Sequence, residues 1–192
     1  LGNILLECSK EMNVRKFINL STVWEKNYKS SINYLNLYSL SKKIFSEIIN
    51  FYSIKNRKIN FHNLYLLDTF GDKDKRIKIL NVIKKNLKLN KKTLIESDNL
   101  AMNFLNIKDV VSAIKLINYK SNLKRKDYIV CNTKNFKIKD IIKNYNFTNK
   151  KKIKYKFLNS RKIVPILPNI SRLPGWKINH SDMSDIINFL KK

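Results

Sequence analysis

The chain has 192 residues, 43% of them hydrophobic, and only three prolines, so its composition suits a folded protein with a buried core and excludes a disordered tail. Its formal net charge of +26 suggests a nucleic-acid-binding surface, but only six of its 40 basic residues are arginines, the residue that phosphate recognition favours. The excess of Lys, Asn and Ile fits an AT-rich coding sequence better, so we disfavour nucleic acid as a partner.

Hydrophobic periodicity along the chain predicts helices that alternate with strands. Helices are predicted at residues 4–12, 37–52, 77–87, 109–117, 137–145 and 182–190. Strands are predicted at residues 17–20, 59–67, 101–105, 128–131 and 152–157. The helix at 109–117 is expected to begin at Asp109 as its N-cap. Strands that alternate with helices are typical of parallel β-α-β units, so the sequence predicts an α/β fold.

The segment from Phe17 to Lys42 carries the strongest chemical signal. The run F-I-N-L at 17–20 predicts a buried strand that leads through a loop to a helix with Tyr38 and Lys42 one turn apart. This spacing puts a phenol and an ammonium on one helix face, where the cation can assist proton transfer by the phenol. Such a pair is typical of hydride-transfer enzymes. Because the chain has nine tyrosines and many lysines, the spacing also occurs by chance, and the neighbouring motifs must decide.

Four segments occur in an order that matches a known family. They are L-S-T-V-W-E at 20–25, Y-S-L-S-K at 38–42, D-T-F-G-D at 68–72 and I-K-D-V-V-S-A at 107–113. Together they resemble the extended short-chain dehydrogenase/reductases, the family of NAD(P)-dependent nucleotide-sugar epimerases, dehydratases and reductases. The L-P-G-W-K at 173–177 also resembles the C-terminal part of several members.

The resemblance implies a fold and a division into domains. The expected fold is the C-terminal part of a Rossmann-like, doubly wound parallel sheet with a smaller α/β substrate domain. Residues 1–120 would be the remainder of the dinucleotide-binding domain, with substrate-domain segments interspersed. Residues 121–192 would belong mostly to the substrate-binding domain.

The resemblance also assigns catalytic roles. Tyr38 would accept the proton of a sugar hydroxyl while NAD or NADP takes the hydride, and Lys42 would hold the nicotinamide ribose. The family's usual hydroxyl-bearing position falls on Leu20, whose side chain cannot form a hydrogen bond. Ser21 or Thr22 would then complete the proton relay. The alternative is that Ser21 and Thr22 only satisfy backbone groups of the loop.

Other residues are candidates for binding the cofactor and the substrate. Asp68 and Thr69 end a strand where family members approach the nicotinamide and the sugar diphosphate, although such a pair is equally often a turn or cap. The family often places a phosphate-binding arginine where this chain has Met102. By the resemblance, the substrate diphosphate would therefore be bound by Arg76 or Arg172, with Asp68 as a further substrate contact.

One expected motif is missing from the sequence. Family members open with a G-x-x-G-x-x-G turn whose backbone binds the cofactor pyrophosphate. This chain has only Gly2, Gly71 and Gly175, from which no such fingerprint can be assembled. We therefore expect an N-terminally truncated enzyme with impaired activity. The alternative is a non-catalytic remnant, or one half of a split enzyme; a basic nucleic-acid-binding protein is the third and least favoured possibility.

The remaining expectations concern assembly and location. By the resemblance, the chain forms a homodimer through the helices at 4–12 and 37–52, with Leu5, Ile44 and Ile48 supplying apolar surface. No apolar run approaches the roughly 18 residues that cross a bilayer, and no signal peptide is recognisable, so we expect a cytoplasmic protein without a membrane partner. Cys8 and Cys131 lack metal or disulfide spacing, and we expect buried thiols and no metal site.

Overall fold

A computed structural model of the chain describes residues 2–25, 37–123, 126–158 and 169–192. Within these ranges the helices are α1 (Gly2–Glu11), α2 (Leu37–Lys55), α3 (Ile79–Lys88), α4 (Ile107–Tyr119), α5 (Ile138–Thr148) and α6 (Met183–Lys191). The strands are β1 (Lys16–Thr22), β2 (Asn60–Leu66), β3 (Asp68–Phe70), β4 (Thr93–Ile95), β5 (Ala101–Met102), β6 (Phe104–Asn106), β7 (Asp127–Val130), β8 (Phe136–Lys137) and β9 (Tyr155–Phe157). A 3₁₀ turn spans Val23–Glu25, and residues 26–36 of the predicted loop lie outside the described part.

The predicted α/β class and its parallel strands are confirmed. Every predicted helix has a counterpart, but the predicted strand at 101–105 is two short strands, β5 and β6. Strands β3, β4 and β8 were missed because two or three residues are too few to show an alternating pattern. Asp68 and Thr69, which were expected to end a strand, are the first two residues of β3. Helix α4 begins at Ile107, so the prediction of Asp109 as its N-cap was wrong.

The chain divides into two compact units. Unit 1 comprises Leu1–Leu67, Ser112–Val130 and Pro165–Trp176. It contains a sheet in the order β1-β2-β7, in which both pairings are parallel. The register places Phe17 beside Phe61 and Ser21 beside Tyr65. Because side chains alternate between the two faces of a strand, these four point to the same face, which carries α1 and α2.

Unit 2 comprises Asp68–Val111, Cys131–Val164 and Lys177–Lys192. Its strand pairs are β3-β6 and β4-β9, both parallel, and β5-β8, which is antiparallel. Helix α3 buries Leu80, Ile83 and Leu87, whose spacing of three and four residues defines one helix face. These residues join a core that also draws on helices α5 and α6. The assignment of residues 1–120 mainly to a dinucleotide-binding domain and of residues 121–192 mainly to a substrate-binding domain stays a prediction.

Two further sequence predictions concern the burial of the cysteines and the absence of a membrane-spanning helix. Cys131 is buried as expected, but Cys8 is exposed, because it lies on the outer side of the amphipathic helix α1, which buries Leu6. Within the described ranges, no helix combines the length and the apolar character that a membrane crossing needs. The cytoplasmic location stays a prediction.

Candidate active site

Tyr38 lies in the first turn of helix α2. Its side chain is 57% exposed, whereas the neighbouring Ser39 is buried against the sheet side of the helix. The Ser41 hydroxyl donates to the Tyr38 carbonyl oxygen at 2.9 Å, which stabilises this first turn. The phenol is therefore open to a ligand and does not belong to the core of unit 1.

Lys42 lies one turn after Tyr38 and ties the helix to the sheet. Its Nζ donates to the Leu20 carbonyl oxygen at 2.7 Å. Leu20 is close to the carboxyl end of strand β1, and the carboxyl ends of parallel strands are where open α/β sheets bind ligands. The structure thus brings the ammonium to the end of the sheet, with Tyr38 and Lys42 at the i, i+4 spacing of neighbours on a helix surface.

Ser21 and Thr22 are both buried and both have protein partners. The Ser21 hydroxyl donates to Oε2 of Glu25, and the Thr22 Oγ1 accepts the backbone N–H of Trp24 at 3.3 Å. Strand alternation puts Thr22 on the same face as Leu20 and Ser21 on the opposite face, beneath helix α2. Of the two candidate hydroxyls, Thr22 shares the face of the expected family position.

Glu25 is a buried acid that sequence reasoning missed. Glu25 is the last residue of the 3₁₀ turn and is only 3% exposed. Its Oε2 accepts hydrogen bonds from the hydroxyls of Ser21 and, at 3.2 Å, of Ser46. Burial raises the pKa of the nearby Tyr65, and the negative charges of Glu25 and Asp127 raise it further. One signal was present in the sequence: an acid, Glu25, ends the V-W-E run at 23–25 that follows the predicted strand at 17–20.

Asp68, Thr69 and Arg76 lie in unit 2, and two of them make direct contact. Arg76 Nη2 donates to Thr69 Oγ1 at 3.0 Å, and the same guanidinium donates to Asp74 through Nε at 2.8 Å and Nη2 at 2.6 Å. These bonds hold the pKa of Asp74 below its usual value. Asp68 instead faces Lys78, with 3.9 Å between Oδ1 and Nζ. An anion bound by Arg76 would therefore have to compete with Asp74 for the guanidinium donors.

Arg172 lies in unit 1, at the edge of the parallel sheet. Its backbone forms a parallel bridge with Ile129 of strand β7, and the Ile129 N–H donates to the Ser171 carbonyl oxygen at 3.0 Å. The Arg172 side chain is exposed. Arg172 therefore belongs to unit 1, whereas Arg76 belongs to unit 2.

Asp109 has a structural role instead of the predicted cap. The carboxylate accepts the backbone N–H groups of Asn179 and His180, each at 3.0 Å, and the hydroxyl of Ser181. Asp109 and Ser181 are each 1% exposed. The segment before helix α6 is thereby fixed to the first turn of helix α4. Helix α6 has Asp182 as its N-cap, and this side chain accepts the Asp185 N–H at 2.8 Å.

The three glycines do not form a cradle for the cofactor pyrophosphate. A Cβ added to Gly71 would collide with the Ile107 side chain, and one added to Gly2 would collide with the Phe45 ring. Gly175 adopts a φ of 76°, which favours glycine, beside Lys120. Each glycine therefore has a packing or backbone reason of its own. The glycines of this chain do not fit the pyrophosphate of a dinucleotide.

Comparison with known proteins identifies the family. The family model described as "NAD dependent epimerase/dehydratase family" matches residues 1–131, and the chain belongs to this family. A CDP-abequose synthase of Yersinia pseudotuberculosis is 29% identical over 115 residues, which cover 59% of this chain and 40% of that protein. A CDP-abequose synthase of Salmonella muenchen is 28% identical over 138 residues, 71% of this chain and 47% of that protein. The chain thus spans less than half the length of either curated relative.

Solved structures share the fold. UDP-glucuronic acid 4-epimerase from Bacillus cereus, in complex with UDP-glucuronic acid and NAD, superposes with a TM-score of 0.72 at 17% identity. That match covers 99% of this chain and 66% of the epimerase. dTDP-glucose 4,6-dehydratase from Bacillus anthracis, in complex with NAD, gives a TM-score of 0.76 at 15% identity, with 99% and 65% coverage. The predicted family, its NAD dependence and its Rossmann-like fold are confirmed.

Proposed function

We propose that this chain carries the catalytic pair of an NAD(P)-dependent epimerase, dehydratase or reductase that acts on a nucleotide-activated sugar. The observation that supports the proposal is the bond from Lys42 Nζ to the Leu20 carbonyl oxygen at 2.7 Å, with the exposed Tyr38 one turn away. NAD or NADP, when bound, supplies the hydride acceptor or donor. The other roles proposed here are assigned to residues of this chain.

Tyr38 would accept the proton of the sugar hydroxyl, because its phenol is exposed at the start of helix α2. Lys42 would stabilise the phenolate that forms and would hold the nicotinamide ribose, since three N–H donors allow it to keep its bond to Leu20. Thr22 is the favoured third member of the relay, because its Oγ1 accepts a bond and so keeps its own proton for donation. The proton of Ser21 is already donated to Glu25.

The curated relatives support an order in which substrates should be assayed. Both curated relatives are CDP-abequose synthases, so CDP-activated sugars are the first compounds to assay, followed by UDP- and dTDP-activated sugars. Asp68, Arg76 and Arg172 are the proposed contacts for the substrate. Proton NMR of the sugar ring, with NAD or NADP added and a cofactor-binding half joined to the chain, tests the proposal. No conversion of any nucleotide sugar under these conditions would overturn it.

A second possibility is a non-catalytic remnant or one half of a split enzyme. It is favoured by one observation, that none of the three glycines contributes to a pyrophosphate-binding turn. A non-catalytic remnant would give no turnover when a cofactor-binding half is joined to it, whereas an impaired enzyme or one half of a split enzyme would.

We expect the 192-residue chain alone to bind NAD(H) and NADP(H) with dissociation constants weaker than about 1 mM, which is about −4 kcal/mol. The reason is that the backbone N–H groups of a glycine-rich turn make many of the hydrogen bonds that bind the cofactor pyrophosphate. Titration calorimetry with all four cofactor forms measures this. A micromolar constant, about −8 kcal/mol, would show that the site survives without that turn.

We also propose that the chain forms a homodimer through helices α1 and α2. Leu5 and Ile44 are exposed on these helices, and unpartnered apolar patches favour association. Ile48, the third residue expected at the interface, is partly buried and packs within unit 1. Of the three residues expected at the interface, Leu5 and Ile44 are therefore the two that remain exposed to a partner.

Ile44→Glu is expected to weaken the dimer at least about tenfold, because it places a charge in the apolar contact. Sedimentation velocity over a micromolar concentration series measures the change. Leu94→Glu serves as the matched control, since Leu94 is similarly exposed but belongs to unit 2. A wild-type chain that stays monomeric throughout the series would contradict the proposed dimer.

A further inference from the structure

The face of the sheet beneath helix α2 changes from apolar to polar along the strands. At the amino ends, Phe17 and Phe61 have ring centroids 5.8 Å apart and pack into an apolar cluster with the helix. Two residues further along, the Asn19 side chain donates to that of Asn63 at 3.0 Å, and Asn63 donates to Asp127 at 2.9 Å. These bonds run across all three strands of the sheet. The carboxyl half of this buried face is therefore hydrogen-bonded.

Glu25 extends this polar layer up to the helix. Its Oε2 accepts the Ser21 hydroxyl from strand β1 and the Ser46 hydroxyl from helix α2, the latter at 3.2 Å. All three residues are at most 3% exposed. Ser46 follows Lys42 by four residues, so the two lie on neighbouring turns of one helix face.

The two types of contact constrain the helix differently. Apolar contacts such as those of Ile49 are non-directional and leave a helix some freedom to rotate and slide. A buried carboxyl group is costly unless its hydrogen bonds are made, and those bonds have defined distances and angles. The Glu25 bonds therefore fix helix α2 at the turn that follows Lys42. The bond between Lys42 Nζ and the Leu20 carbonyl oxygen lies one turn away.

We propose that Glu25 is a positioning residue, which sets the rotation of helix α2 on the strand ends and so holds Lys42 against the Leu20 carbonyl oxygen. The inference rests on the proposed function only for the use of this placement, which is to align the Tyr38–Lys42 pair.

Competitive acetylation of lysines in the folded 192-residue chain tests the proposal without any need for turnover. In Glu25→Ala, the reactivity of Lys42 is expected to rise about fivefold, the factor that corresponds to a net hydrogen-bond contribution of about 1 kcal/mol. Lys55, exposed at the end of the same helix, is the internal reference. Glu25→Gln keeps an acceptor for both serines, and Lys42 should then react within about twofold of wild type.

Two further variants make the result decisive. Ser46→Ala removes only the helix side of the anchor, so Lys42 should again become more reactive even if Glu25→Ala fails to fold. Glu47→Gln changes an exposed acid on the same helix and should leave Lys42 unaffected. Unchanged Lys42 reactivity in Ser46→Ala, or an equal rise at Lys42 and Lys55, would overturn the proposal. If the acetylation reactivity of Lys42 rises as expected in these variants but no nucleotide sugar is converted in the NMR assay, the proposed function is wrong and the positioning role of Glu25 is still supported.

Discussion

Tyr38→Phe is expected to lower kcat by about a hundredfold or more, the usual scale of a lost general acid-base group. The measurement applies to an enzyme in which a cofactor-binding N-terminal half is joined to this chain or supplied as a second polypeptide. The substitution removes only the phenolic hydroxyl and keeps the ring. Because Tyr38 is exposed on the first turn of helix α2, the free energy of unfolding should be nearly unchanged.

Tyr119→Phe is the matched control for this measurement. Tyr119 is also an exposed helical tyrosine, at the end of helix α4, and its loss of a hydroxyl should leave kcat as in wild type. Initial rates at saturating nucleotide sugar and cofactor give kcat for the three proteins. If Tyr38→Phe turns over as fast as wild type, the Tyr-x-x-x-Lys interpretation must be abandoned, and with it the proposed chemistry.

Asp109→Ala is expected to lower the free energy of unfolding by about 3 kcal/mol. The substitution removes the acceptor of three hydrogen bonds and leaves the backbone N–H groups of Asn179 and His180 without it. The Ser181 hydroxyl, which is buried, loses the same partner. Urea unfolding followed by circular dichroism measures the change, and amide hydrogen exchange at residues 179 and 180 reports it locally.

The chain offers a close control for this substitution. Asp140 is the third residue of helix α5, as Asp109 is of helix α4, but its side chain is exposed. Asp140→Ala should therefore cost less than about 1 kcal/mol, the contribution of a charge near a helix N-terminus. Equal losses for the two variants would show that Asp109 acts only through its helix and not by fixing the segment before helix α6.

The proposed assignments for the two units support different experiments. The Tyr38–Lys42 pair, Ser21, Thr22 and Glu25 all lie in unit 1, so their coupling can be tested by labelling and mutagenesis on this chain. The candidate substrate contacts Asp68 and Arg76 lie in unit 2, where Arg76 already binds Asp74. Binding of a nucleotide diphosphate by Arg76 would compete with that ion pair.

Local patterns in the sequence were sufficient for the features that depend on neighbouring residues. The helix that carries Tyr38 and Lys42 and the strands β1 and β2 follow from short-range spacing and periodicity. The prediction that residues 17–20 form a buried strand was wrong as to burial, because Phe17 and Ile18 are half-buried and Leu20 is exposed. The physical basis is that helices and strands have a fixed rise and rotation per residue, so the burial of one face produces a periodic pattern of apolar residues in a short stretch of sequence. The motif order around them was enough to identify the family.

The polar contacts in the core were decided only by the tertiary structure. The Asn103 side chain donates through Nδ2 to the Asn132 carbonyl oxygen at 3.1 Å and accepts the Asn132 backbone N–H through Oδ1 at 2.7 Å. The two residues are 29 positions apart in sequence, and no local pattern indicates that pairing. An acid near a helix start suits the role of N-cap, which is why the sequence predicts that role for Asp109, whereas its partners lie 70 to 72 residues away. The sequence by itself determined the helices, the main strands and the Tyr–Lys pair. The tertiary structure alone decided which buried polar groups meet, because a hydrogen bond depends on distance and angle in space and not on separation along the chain.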